Sequence, residues 1–286
     1  MPRTQVRYEL GRFNLISNLF TPEVEGKFEF LRKGLTSGQA EESRGSYWSF
    51  LDVTSIPVED VEYLHGYLVK YDRREERKVV DSQRRHIDVK VLENAVQAAA
   101  GFVIHPPSSI IAFHPMPPDI PRRTFIERFV ALFELGHPSS FISAEIQLIH
   151  EDHKVLDAIR RFEAISRVFV YLHPSNPSNR EQWRDFDERL RALRVTKYRE
   201  EYVAPVQPGT SGLKIAGDPD IEKKVVMAQD GYGEAGVTGI DDGRPRTVTT
   251  KANPVTASVP SDATASPETI VRSIHTTIQR LLERFK

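Results

Sequence analysis

The sequence predicts an α+β protein. A β-rich N-terminal domain, residues 1–118, precedes a mixed α/β domain, residues 119–286, that is closed by a C-terminal helix. Three observations lead there. Short β-branched and aromatic runs separated by polar turns fill the first part, which suits an antiparallel sheet or a small open barrel. After Pro121 apolar residues appear at helical spacing. Between the two, residues 105–121 carry six prolines around the strand-like SIIAF, a stiff connector that sets the boundary and would let the halves swivel.

The strands expected in the first domain are 7–16, 47–53, 61–71, 85–92, 101–104 and 109–113. The polar stretch TSGQAEESRGS, 36–46, reads as a loop. In the second domain, 122–135 is an amphipathic helix with Phe125, Phe129, Leu132 and Phe133 at helical spacing. A strand at 142–149 and a helix at 152–165 follow, the helix placing Val155, Ile159 and Phe162 on one side. Val168, Phe169, Val170, Tyr171 and Leu172 make a buried strand. The loop HPSNPSN ends it, and Trp183, Phe186, Leu190 and Leu193 mark the next helix. Strands are then expected at 197–203, 223–227, 234–240 and 247–251, the last three joined by the turns QDGYG and DDGRP. Residues 253–266 read as a polar linker. Ser266-Pro267-Glu268 starts the final helix, whose stripe Ile270, Ile274, Ile278, Leu281 and Phe285 either closes the core or pairs two copies.

Composition narrows the function classes. Of 286 residues, 39% are apolar and 28% charged, which fits a soluble globular chain. A net charge of −1 gives no global pull towards nucleic acid or anionic membrane, so such binding must come from local patches. Arg outnumbers Lys by 27 to 12, and guanidinium suits bidentate contacts to phosphate. The absence of cysteine excludes disulfides, thiolate metal sites and thiol catalysis. The longest apolar stretch, 96–104, falls far short of the roughly 20 residues that span a bilayer. The expectation is a cytoplasmic protein without membrane insertion.

Two basic clusters stand out. Arg73, Arg74, Arg77 and Lys78 occupy a hairpin-like tip, YDRREERKVV, with Arg84 and Arg85 close behind. On a tip they would grip phosphates without reading sequence, or else pair with Glu75 and Glu76 in a solvated turn. Arg180, Arg184, Arg189, Arg191 and Arg194 decorate the Trp183 helix, where Asp185 and Asp187 stand at i,i+4 from Arg189 and Arg191 and neutralise them.

Chemistry has fewer footholds. Asp88-Val89-Lys90 in RRHIDVKVL matches the acid-x-Lys skeleton of a metal-dependent nuclease, if the strand is buried and an earlier acid such as Asp72 or Asp81 joins it. The same spacing arises on any solvent-facing strand as a cross-strand ion pair. His150 and His153 flank Glu151 and Asp152, but this HEDH also reads as a capped helix start and lacks a third ligand. The loop 173–179 sits between strand end and helix start, where ligands gather in α/β sheets, yet has no glycine cradle. No metal or cofactor is assigned.

The segments FEAISRVFVYLHPSN, with its following helix, and GLKIAGDPDIEKKVVMAQDGYGEAG resemble the RexA-type superinfection-exclusion proteins of temperate phages and their phage-defence relatives. That resemblance implies a two-domain cytoplasmic homodimer that swivels and binds DNA, more than RNA, with little sequence preference. It also implies a second defence-system protein as partner, and no catalytic residue. The first expectation is therefore a nucleic-acid-binding protein of a defence or exclusion type using Arg73, Arg74, Arg77, Lys78, Arg84 and Arg85. The alternatives are a nuclease using Asp88 and Lys90, and a non-catalytic scaffold using the C-terminal helix.

Overall fold

The computed structural model describes residues 5–17, 26–81, 86–138, 142–150, 154–175, 181–205, 212–250, 254–260 and 265–284. In chain order the elements are β1 (Gln5–Ser17), α1 (Lys27–Leu35), β2 (Ala40–Ser43), β3 (Ser46–Val58), β4 (Val61–Asp81), β5 (His86–His105) and β6 (Ile110–Phe113). Then come α2 (Arg122–Leu135), β7 (Ile142–Leu148), α3 (Lys154–Arg161), β8 (Ala164–Leu172), α4 (Glu181–Ala192) and β9 (Tyr198–Val203). The last are α5 (Pro219–Met227), β10 (Gly233–Asp241), β11 (Arg244–Thr249), β12 (Thr256–Pro260) and α6 (Pro267–Arg284). The fold is α+β with open antiparallel sheets and a terminal helix.

The larger sheet is eight-stranded, in the order β12-β1-β6-β5-β4-β3-β2, with β7 also on β1. Strand alternation sends successive side chains to opposite faces. On one face Phe13, Phe50, Phe102 and Phe113 meet Phe125, Phe129 and Phe133 of α2 and Leu31 and Leu35 of α1. On the other, Leu10, Tyr63, Val103 and Ala112 meet Ile270, Val271, Ile274 and Ile278 of α6. The smaller sheet, β11-β10-β8-β9, has its own core, where Val168, Val170 and Val237 lie against Trp183, Ile159 and Val225.

A division of the chain at residue 118 does not follow these sheets. β7 and β12 come from the second part, yet both pair with β1, at 11–17 and 5–9 respectively. Together they cover an edge of β1 that would otherwise leave its backbone groups unpaired. α6 then closes the core of the first sheet, so the helix has the core-closing role among the two read from its stripe.

Local differences have local causes. Residues 223–227 form the end of helix α5, not a strand, because the Asp218 carboxylate caps the amides of Asp220 and Ile221 and Pro219 opens the helix. QDGYG does not turn a hairpin. Ala228–Tyr232 continues α5 as a π-helical turn. The polar segment 36–46 carries β2, the linker 253–266 carries β12, and α1 adds a helix on which Leu31 and Leu35 stand at i,i+4.

Candidate nucleic-acid interface

β3 runs beside β4 only as far as the pair Tyr47↔Tyr71. Beyond it, among the described residues, β4 and β5 pair with each other alone, from Asp72↔Ala95 to Asp81↔His86. The result is a two-stranded ribbon of ten residues per strand, projecting roughly 33 Å at the rise of an extended chain. A register shift between Lys70 and Tyr71 marks its base, where a bulge sharpens the twist.

This placement corrects the expected tip. Arg73, Arg74, Arg77 and Lys78 lie in β4, within the ribbon's length and not at its turn. Arg73 and Arg74 are exposed, and as strand neighbours they belong to opposite faces. The Arg73 guanidinium stacks 4.2 Å over the Tyr47 ring, and Arg74 lies 3.9 Å from Glu76, both of that pair largely solvated. Arg77 pairs with Lys90 and Lys78 with Val89 in the backbone ladder. Arg84 and Arg85 lie outside the described residues.

Charge is graded along the ribbon. From 77 to 90 the sequence carries five basic residues (Arg77, Lys78, Arg84, Arg85, Lys90) and two acidic ones (Asp81, Asp88). Asp72, Glu75, Glu76 and Glu93 lie towards the base, with Arg73 and Arg74 among them. The ribbon also exposes apolar groups: Val89 is 57% exposed, Val91 48% and Leu92 37%.

The acid-x-Lys motif sits on this ribbon as well. Lys90 is exposed, so the buried strand expected for a nuclease skeleton is not what surrounds it. An exposed lysine stays in water and is not held against an attacking water. Asp88 registers opposite Val79, and Asp72 lies at the far end of the ladder.

The other motifs resolve into structure. His150 is buried and bridges to Pro254 through its backbone, while 151–153 lie outside the described residues. In the loop 173–179 the amide and hydroxyl of Ser175 both donate to the Asp187 carboxylate at 2.6 Å. Arg191 pairs with the same carboxylate at 2.9 Å, the i,i+4 pairing expected for this helix. The donors of Ser175 are thus taken by an acid of this chain, and 176–180 lie outside the described residues. A groove of about 480 Å³ between α4, β9 and α5 is lined by Phe186, Leu190, Tyr198 and Lys224, but Lys224 is engaged by Glu200 and Asp220.

One buried polar region had no counterpart in the sequence reading. Where the two sheets meet, Arg12 donates through Nε to the carbonyl of Asp230 at 2.9 Å, and Asn14 donates to that of Gly231 at 2.9 Å. The Asp230 side chain accepts from Trp183 Nε1 at 3.0 Å, and the Arg12 guanidinium lies 4.7 Å from the Tyr232 ring centroid. His173 Nε2 meets Glu145 at 2.8 Å across the same seam. Burial alone would lower the His173 pKa, but the hydrogen bond and charge of Glu145 outweigh it and raise it. Glu145 is held below the usual carboxylate range, His173 overcoming the effect of burial. The visible signal was a pair of polar residues, Arg12 and Asn14, set among the apolar Leu10, Phe13, Leu15 and Ile16 of β1.

Among the described residues no helix is long and apolar enough to cross a membrane. No curated protein matches the chain. A family described as a domain of unknown function, DUF4747, matches residues 8–276, which includes both sheets, the ribbon and most of α6. With nearly its whole length matched, the chain belongs to the DUF4747 family.

Proposed function

We propose that this protein binds nucleic acid, DNA in preference to RNA, by laying the β4–β5 ribbon into a groove of the duplex. The observation that carries this is the ribbon itself, which runs beyond the sheet as two paired strands and carries Arg73, Arg74, Arg77 and Lys78 along β4. The major groove of B-DNA admits a two-stranded ribbon, whereas that of A-form RNA is too narrow for side chains to enter. Contacts from Arg73, Arg74, Arg77, Lys78, Arg84 and Arg85 to phosphates hold position without reading bases. A homodimer would present two ribbons and multiply affinity through effective concentration. The exclusion or defence role, with a second protein of that system as partner, rests on the resemblance of the C-terminal segments and takes the binding step as its basis.

The test is a titration of the full chain against duplex DNA and duplex RNA over a salt series. Each phosphate contact contributes about 0.9 to the slope of log affinity against log salt. Arg73 and Arg74 belong to opposite faces, so a ribbon inside a groove uses both and a ribbon lying flat uses one. The R73A/R74A variant should therefore lower the slope by about 1.8 in the first case and about 0.9 in the second. Unchanged affinity and slope would remove the ribbon from the interface.

A further inference from the structure

Lys27 opens α1 and is 2% exposed, yet its Nζ has no hydrogen-bond partner among the described residues. An ammonium taken out of water without a partner is strongly disfavoured, so folds seldom keep one. Its neighbours make matters worse. Arg12 and His105, each 3% exposed, are close enough for their charges to act on one another and on Lys27. Burial, reinforced by Arg12, brings the Lys27 pKa down to about 8. Burial, followed by the positive fields of His275, Lys27 and Arg12, brings that of His105 down to about 4.

The surroundings add donors. Arg12 also donates through a terminal nitrogen to the Ser108 carbonyl at 2.7 Å, which ties it to the turn between β5 and β6. His105 Nδ1 accepts from the Ser108 amide at 3.3 Å and lies 2.6 Å from its hydroxyl. The neutral ring then carries its proton on Nε2. The Ser109 hydroxyl, 3% exposed, has no partner among the described residues either. Pro107 in the same turn is exposed, so the cluster lies one layer beneath the surface.

We propose that Lys27, Arg12 and Ser109, with His105 beside them, form a buried binding site for a phosphate-class oxyanion. A phosphate accepts at several oxygens and would satisfy Lys27 Nζ and the Ser109 hydroxyl together. The burial of these groups keeps the site apart from the ribbon and from any duplex backbone. Whether the phosphate is free or esterified is settled by the probe that binds.

The experiment is thermal unfolding of the full chain in rising inorganic phosphate, or rising glycerol phosphate, with chloride holding ionic strength constant. The expected result is a Tm that climbs with the logarithm of one of these ligands. A response to inorganic phosphate identifies the free ion, and a response to glycerol phosphate alone identifies a monoester. Lys27→Met keeps the apolar stem and removes the charge. It should fold at least as stably as the parent without ligand, and bind phosphate at least about tenfold more weakly. Three results would each overturn the site: no Tm response to either probe, an undiminished response in Lys27→Met, or failure of that variant to fold.

Discussion

Replacing Gly231 with alanine tests whether the seam between the sheets is a clasp under tight packing. Gly231 has φ +88°, and a Cβ added there would sit 2.5 Å from Arg12 Cγ and 3.1 Å from Ile149 Cγ1. Gly217 offers a matched control, with φ +80° and nothing within 4 Å of the added atom. Left-handed backbone costs an L-residue about 1–2 kcal/mol, partly offset by the loss of unfolded-state freedom, so Gly217→Ala should cost about 1 kcal/mol. Gly231→Ala carries the same strain and must also push Arg12 aside. Arg12 is held by bonds of 2.9 Å to the Asp230 carbonyl and 2.7 Å to the Ser108 carbonyl. Hydrogen bonds to a charged group contribute about 1.5–3 kcal/mol each, so losing both costs about 3–6 kcal/mol beyond the control. Urea unfolding of the two variants beside the parent gives the comparison directly. A Gly231→Ala cost within about 1 kcal/mol of Gly217→Ala would mean that Arg12 yields freely and that the clasp contributes little.

Two further outcomes follow from the same geometry. The raised pKa of His173 gives stability that is full below about pH 6.5 and lost as pH rises through the folded value. The lowered pKa of Glu145 gives stability present above about pH 4.3 and lost as pH falls through its folded value. Glu145→Gln should therefore lower stability most between about pH 4.3 and 6.5 and hardly at pH 9, and a pH-independent difference in urea midpoints would contradict the pairing. Deleting α6 from Pro267 onward exposes the sites of Ile270, Val271, Ile274, Ile278 and Leu281. At about 1.5–3 kcal/mol for each buried side chain the upper bound is about 8–15 kcal/mol, comparable to a whole domain's stability. The truncated chain should lose cooperative unfolding by circular dichroism, and a folded monomer would instead favour a dimerising helix.

Periodicity sufficed wherever one face of an element is buried and the other is wet. The Phe125–Phe133 spacing of α2, the run 168–172 of β8 and the stripe of α6 are each local consequences of such burial, and all appear where the sequence places them. Reading failed where a short signal competed with a longer one. Val225 and Val226 favour a strand, but the cap at Asp218 and Pro219 decides for helix α5. The basic residues of the ribbon were visible from the start, since charge is written in composition. Their geometry was not, because it depends on β3 ending its pairing at Tyr71 while β4 and β5 run on.

The amino-acid sequence by itself determined the α+β class, the positions of most strands and helices, and the cations available to meet phosphate. Tertiary structure alone decided that β7 and β12 return to β1, so that the two parts share a sheet. It alone decided that Arg12, Lys27 and His105 crowd together out of water. Spacing along a chain governs contacts within one element. Pairings across 125 or more residues, from Ser17 with Ile142 to Gly11 with Leu148, depend on which edges and faces remain uncovered once every local element has formed.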